Sequence, residues 1–163
     1  MRFHGTVAAM VAVSIATTAQ AGEGRAAMQH ATGTFEVTIT PEAQAPAPAG
    51  GVPTSRMGLA KTFTGGLTGT ATGTMLAAGT PAPGQAASYV AIDQVSGTLD
   101  GRRGGFVLVH RGTMTRAGGG ELSVLIAPDS GTGALAGIEG TLSIEMRDGK
   151  HFYDLAYTLP DPR

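Results

Sequence analysis

The sequence predicts an all-β fold: a single eight-stranded antiparallel up-and-down β-barrel. Three observations predict it. Apolar and polar residues alternate with period two over stretches long enough to be strands. The stretches are separated by turn signals rich in the 26 glycines and 9 prolines of the 163-residue chain. Asp-Gly pairs stand where hairpins need two residues in the left-handed backbone region, at Asp100-Gly101 and Asp148-Gly149. The length fits one domain. Closure into a barrel also removes sheet edges, which a chain with no cysteine cannot staple shut.

The first segment is read as a targeting signal. Arg2 and His4 give a positive start, Val7 to Ala16 is apolar, and Ala19-Gln20-Ala21 is an A-x-A cleavage site. The apolar run is about half of the ~20 residues a spanning helix needs. Residues 1–21 are therefore expected to be a signal peptide and residues 22–163 the barrel domain. The protein should be secreted or periplasmic, with no membrane attachment after cleavage.

The first strand is Thr32 to Thr40, with Phe35, Val37 and Ile39 on one face. Pro41 to Pro53 reads as a loop, because its Ala-Pro repeats can join neither a ladder nor a helix. Strand two is Ser55 to Phe63. Gly65-Gly66 turns it into strand three, Leu67 to Ala78, which carries threonine at every even position from 68 to 74. A loop from Gly79 to Gly84 leads to strand four, Ser88 to Leu99. The Asp100 to Gly104 turn leads to strand five, Phe106 to Thr115, and Gly118 to Gly120 to strand six, Glu121 to Ala127. Pro128 to Gly140 breaks the rhythm, with one helical turn expected up to Leu135 under an Asp129 or Ser130 cap. Strand seven is Thr141 to Met146, and strand eight is His151 to Leu159.

Four segments carry a family resemblance: Ala31 to Val37 (ATGTFEV), Lys61 to Gly69 (KTFTGGLTG), Ser96 to Thr113 (SGTLDGRRGGFVLVHRGT) and Ser130 to Gly137 (SGTGALAG). In this order they resemble the bacterial domain of unknown function 3224. The resemblance implies a barrel like that of allene oxide cyclase, a fold shared by dirigent proteins and some bacterial polyketide cyclases. It implies an apolar cavity but no particular reaction. The Ala-Pro-rich first loop and the leader depart from it.

Composition and spacing exclude several chemistries. A net charge of −1 and a pI near 6.4 leave no basic face for nucleic acid. The absence of cysteine removes thiolate metal sites and a cysteine nucleophile. His4, His30, His110 and His151 have no metal-ligand spacing, so neither metal nor cofactor is expected. The Gly-rich Ser130 to Gly140 segment lacks the following helix that a phosphate loop requires. No G-x-S-x-G elbow is present, and Arg102-Arg103 sits in a turn.

Strand parity supplies the candidate site. Lys61 alternates with Met57, Leu59 and Phe63; His110 with Phe106, Leu108 and Met114; Asp93 with Tyr89, Ala91 and Val95; Asp154 with Phe152 and Ala156. Four ionisable groups on otherwise apolar faces should point inward and pair there, since a lone buried charge costs several kcal/mol. His110, Lys61 and Asp93 are the candidate catalytic groups, and Leu59, Phe63, Tyr89, Phe106, Leu108 and Met114 the candidate ligand-binding wall. The leading expectation is an exported barrel that binds a small apolar molecule. The alternatives are a cofactor-free cyclase or isomerase, in which confinement does much of the work, and a structural or partner-binding barrel. Self-association to a dimer or trimer is expected.

Overall fold

The computed structural model describes residues 26–80, 82 and 84–160. The expected signal peptide lies outside the described residues. The strands are β1 (Gln29–Ala45), β2 (Thr54–Gly65), β3 (Leu67–Gly79), β4 (Ala87–Leu99), β5 (Arg102–Met114), β6 (Gly120–Ile126), β7 (Thr132–Gly133), β8 (Glu139–Arg147) and β9 (Lys150–Thr158). Eight of them form a closed antiparallel barrel in the order β1-β2-β3-β4-β5-β6-β8-β9, with β9 returning to β1; the two-residue β7 adds to the edge of β5.

The turns follow from backbone chemistry. Asp100 and Gly101 take φ of 45° and 82°, and Asp148 and Gly149 take 51° and 74°, as two-residue hairpins whose twist matches the strands require. Register then stacks inward-facing residues in rows across the wall. One row is Met57, Met75, Ala91, His110 and Val124; the next is Leu59, Gly73, Asp93, Leu108 and Ile126. Below them come Val37, Lys61, Ala71, Val95 and Phe106.

The end bounded by the β2–β3 and β4–β5 turns is an apolar core. Phe63, Leu67, Leu99, Leu135, Leu155 and Tyr157 are among the buried side chains there. Tyr153 is tied in by polarity: its hydroxyl accepts from Leu67 N at 2.9 Å and lies 3.2 Å from the carbonyl oxygens of Thr64 and Leu67. At the wide end a second cluster holds Leu59, Met75 and Ala91, with Met57 and Tyr89 against it.

Three expectations are corrected. The proline-rich stretch is not wholly loop: β1 runs on to Ala45, with a register shift between Pro41 and Ala43. Proline is tolerated because β9 stops pairing with β1 at Phe35, leaving Pro41 on a stretch with only one ladder. The segment after Pro128 holds no helix. It forms β7 and turns, and Ser130 Oγ accepts from Val107 N (3.0 Å) while donating to Ala127 O (2.7 Å). Finally, Asp154 faces outward: Tyr153, Leu155 and Tyr157 fill the interior, and Asp154 meets His30 Nδ1 at 2.9 Å on the outer face.

Candidate functional site

Lys61, Asp93 and His110 come from three different strands and meet inside the barrel. They are the buried polar or charged residues among those described, at 9%, 0% and 4% exposure. Lys61 Nζ donates to Asp93 Oδ2 at 2.5 Å. His110 Nε2 lies 3.0 Å from the same oxygen but off the line of a hydrogen bond. Asp93 Oδ1 has no hydrogen-bond partner among the described residues. Burial alone would raise the Asp93 carboxyl pKa, yet His110 and Lys61 together hold it below the ordinary carboxylate value.

Gly73 makes room for this carboxylate. It is the cross-strand partner of Asp93, and a Cβ at position 73 would collide with Oδ1 and with the Ile92 carbonyl oxygen. Below the trio, Lys61 Nζ lies 5.4 Å from the Phe35 ring centre, close enough for a cation–π contact. The same ring stacks on His151 at 4.7 Å. Burial, with the Lys61 charge as a lesser cause, lowers the His151 pKa. Above the trio, burial and then the Asp93 charge raise the Tyr89 pKa. Tyr89 lies across Gly112, where a Cβ would strike its ring.

The wide end is open. Ile39, Leu122 and Met146 share strand parity with inward-facing residues, yet they are 50%, 45% and 57% exposed. The cause is unequal strand length. β1 continues ten residues past its last pairing with β9, and β6 and β8 share a single ladder pair, Leu125 with Thr141. The barrel wall is therefore incomplete beside β1 and between β6 and β8. A cleft of about 320 Å³ lies in the second gap, and one of about 750 Å³ beside β1 reaches Phe35 and His151. A third cleft, about 690 Å³, runs along the wide end past Tyr89, mostly over the outer side of the wall.

Of the six expected ligand-wall residues, Leu59, Phe63, Phe106 and Leu108 are packed in the core, and Tyr89 and Met114 are half-buried. Tyr89 alone of the six lines the 690 Å³ cleft. Sequence reasoning missed Gly73, His151 and the rim residues Leu122 and Met146. Alternation puts Gly73 on the inner face of β3, but its pairing with Asp93 and the points at which strands stop short are matters of register that the pattern does not reveal.

Residues 31–157 match the family model described as "Protein of unknown function (DUF3224)". The chain belongs to the DUF3224 family. Within it, a solved structure of a protein of unknown function from Shewanella oneidensis MR-1 is 44% identical to this DUF3224 chain. The alignment covers 82% of this chain and 100% of that one, with a TM-score of 0.73. Among curated proteins nothing matches the chain. The family assignment thus carries the barrel, and the DUF3224 site has to be read from its own residues.

Proposed function

We propose that this protein is an exported carrier that binds a small, largely apolar molecule through its wide end. A polar group of the ligand would turn toward Lys61, Asp93 and His110. One observation supports the reading: apolar residues of inward parity stand exposed at the mouth, and the same barrel holds a buried ionic trio whose carboxylate has an oxygen without a hydrogen-bond partner among the described residues. Exposed apolar side chains gain about 25 cal/mol per Å² when a ligand covers them. A buried ion pair, in contrast, is often no better for stability than apolar residues of similar volume, so a purely structural core has little need of one.

Titration of the purified protein with anilinonaphthalene sulfonate tests this. Binding should saturate, weaken at least tenfold in Leu122→Arg at the rim, and persist in Gln94→Arg on the outer wall. Absence of saturable binding, or equal affinity in Leu122→Arg, overturns the reading.

A second reading, a cyclase or isomerase, is favoured by His110 beside Asp93, a pairing suited to moving a proton. Chromatography of the molecule extracted from wild-type protein and from His110→Ala separates the two. A carrier yields the same compound from both, whereas an enzyme yields product from one and unconverted substrate from the other.

A further inference from the structure

The outer wall carries a feature that the interior does not explain. Cross-strand register sets Leu76 beside Val90, and Ile92 beside Val109 and then Leu125, across β3 to β6. Leu76, Val90, Ile92 and Leu125 are 53%, 52%, 56% and 39% exposed, and Val109 between them is half-buried. By alternation all five point away from the interior. They form one contiguous apolar band rather than scattered surface residues. Large contiguous apolar patches are rare on monomeric proteins, and where they occur they mark interaction surfaces.

We infer that this band is the contact face of a two-fold homodimer, so that the partner is a second copy of this chain. Charge placement selects that occupant. In the row of Leu76 and Val90, the band is flanked by Arg56 on the β2 side and Arg111 on the β5 side. Arg56 Nε pairs with Glu42 at 3.0 Å and Arg111 with Glu121 at 3.5 Å. Each flank therefore presents one cation and one anion around an apolar centre. Under a two-fold axis, whether along or across the strands, each flank meets another flank carrying both signs. A strongly acidic or basic partner would find no such match, and a lipid surface would meet two carboxylates. The 690 Å³ cleft at the upper edge of the band, walled by Ala43, Ala45, Leu76 and Val90, provides a recess for side chains of the second copy. An isologous face of this kind closes on itself and leaves no sticky surface behind.

Two measurements test the inference. In size-exclusion chromatography with light scattering at micromolar concentration, the protein should run at twice its chain mass. Ile92→Arg and, independently, Val90→Glu should weaken association at least a hundredfold with an unchanged circular dichroism spectrum. Leu122→Arg, which blocks the mouth, should leave the dimer intact, so failure of the dimer and failure of ligand binding are read separately. Because the chain has no cysteine, Ile92→Cys offers a clean cross-link. It should form a covalent dimer under mild oxidation, while Thr70→Cys, lower on the same outer wall, should stay monomeric in the denaturing gel. A monomer in the first measurement, a trimer, a dimer that survives both Ile92→Arg and Val90→Glu, or equal cross-linking at position 70 overturns the inference.

Discussion

Gly73 and Asp93 face each other across the β3–β4 ladder, and the carboxylate occupies the space that any side chain at position 73 would need. The nearest atoms to a methyl group there are Asp93 Oδ1 and the Ile92 carbonyl oxygen, and of the two the side chain is the one that can swing away. Gly73→Ala should therefore displace Asp93 from Lys61 and His110 and cost about 1–3 kcal/mol, the usual range for overpacking. Urea denaturation of wild type and variant measures it. An unchanged midpoint would show that the carboxylate is free to move.

Removing the shared anion should cost more. Asp93→Leu leaves Lys61 without its counter-charge in a buried setting, and about 3–5 kcal/mol of stability should be lost. Pairing it with Lys61→Met removes the stranded cation, and the double variant should be more stable than Asp93→Leu alone. Equal stability of the two would show that Lys61 escapes to solvent when its partner is removed.

Acidification should weaken the fold in two stages. His151 has a folded-state pKa below its ordinary 6.5, because of burial and then the Lys61 charge. The unfolded chain thus takes up that proton first, and stability falls as the pH drops below about 6.5. Asp93, also lowered, from an ordinary 3.8, contributes stability above that value and loses it as the pH falls through the folded pKa. A denaturation series from pH 8 to pH 2 should show both stages, with His151→Gln lacking the first. NMR of the His151 ring in Lys61→Met should show its pKa moving back up; no movement would remove Lys61 as a cause.

Gly112→Ala should push the Tyr89 ring from its seat, because the added methyl group meets that ring. If Tyr89 forms part of the ligand site, probe affinity should fall several-fold while the melting temperature changes little. Loss of both together would mark Tyr89 as a packing residue.

Processing gives a prediction independent of the barrel. Cleavage after Ala21 should leave Gly22 at the amino terminus of the exported protein, and intact-mass measurement reads this directly. A chain starting at Met1 would refute the expected location.

Much of this architecture is legible in the sequence because long strands leave little freedom of parity. The residues two places from Lys61, Asp93 and His110 are the buried Leu59 and Phe63, Ala91 and Val95, and Leu108, so parity carries the three ionisable groups to the inner face with them. Asp154 is misread although the same rule was applied. In β9 both alternating sets are apolar, and the larger Tyr153, Leu155 and Tyr157 win the interior, which exposes Asp154 to His30. Pro41 reads as a breaker because the missing donor matters only on a strand paired on both sides. The mouth is not legible at all. It arises from where β9 ends relative to β1, which is a matter of register between strands rather than of any local pattern.

The pairing of Gln29–Phe35 with His151–Tyr157 also has a kinetic meaning. It joins the first strand to the last, so no hairpin nucleus can supply it, and the loop that must close spans nearly the whole domain. Every other seam can zip from a neighbour already in place. Until the carboxyl-terminal strand arrives, β1 presents half of its backbone as an open template, which invites pairing with other chains. Folding should therefore be slow for a domain of this size, and its yield should fall with protein concentration unless something shields β1 while the end of the chain is still missing.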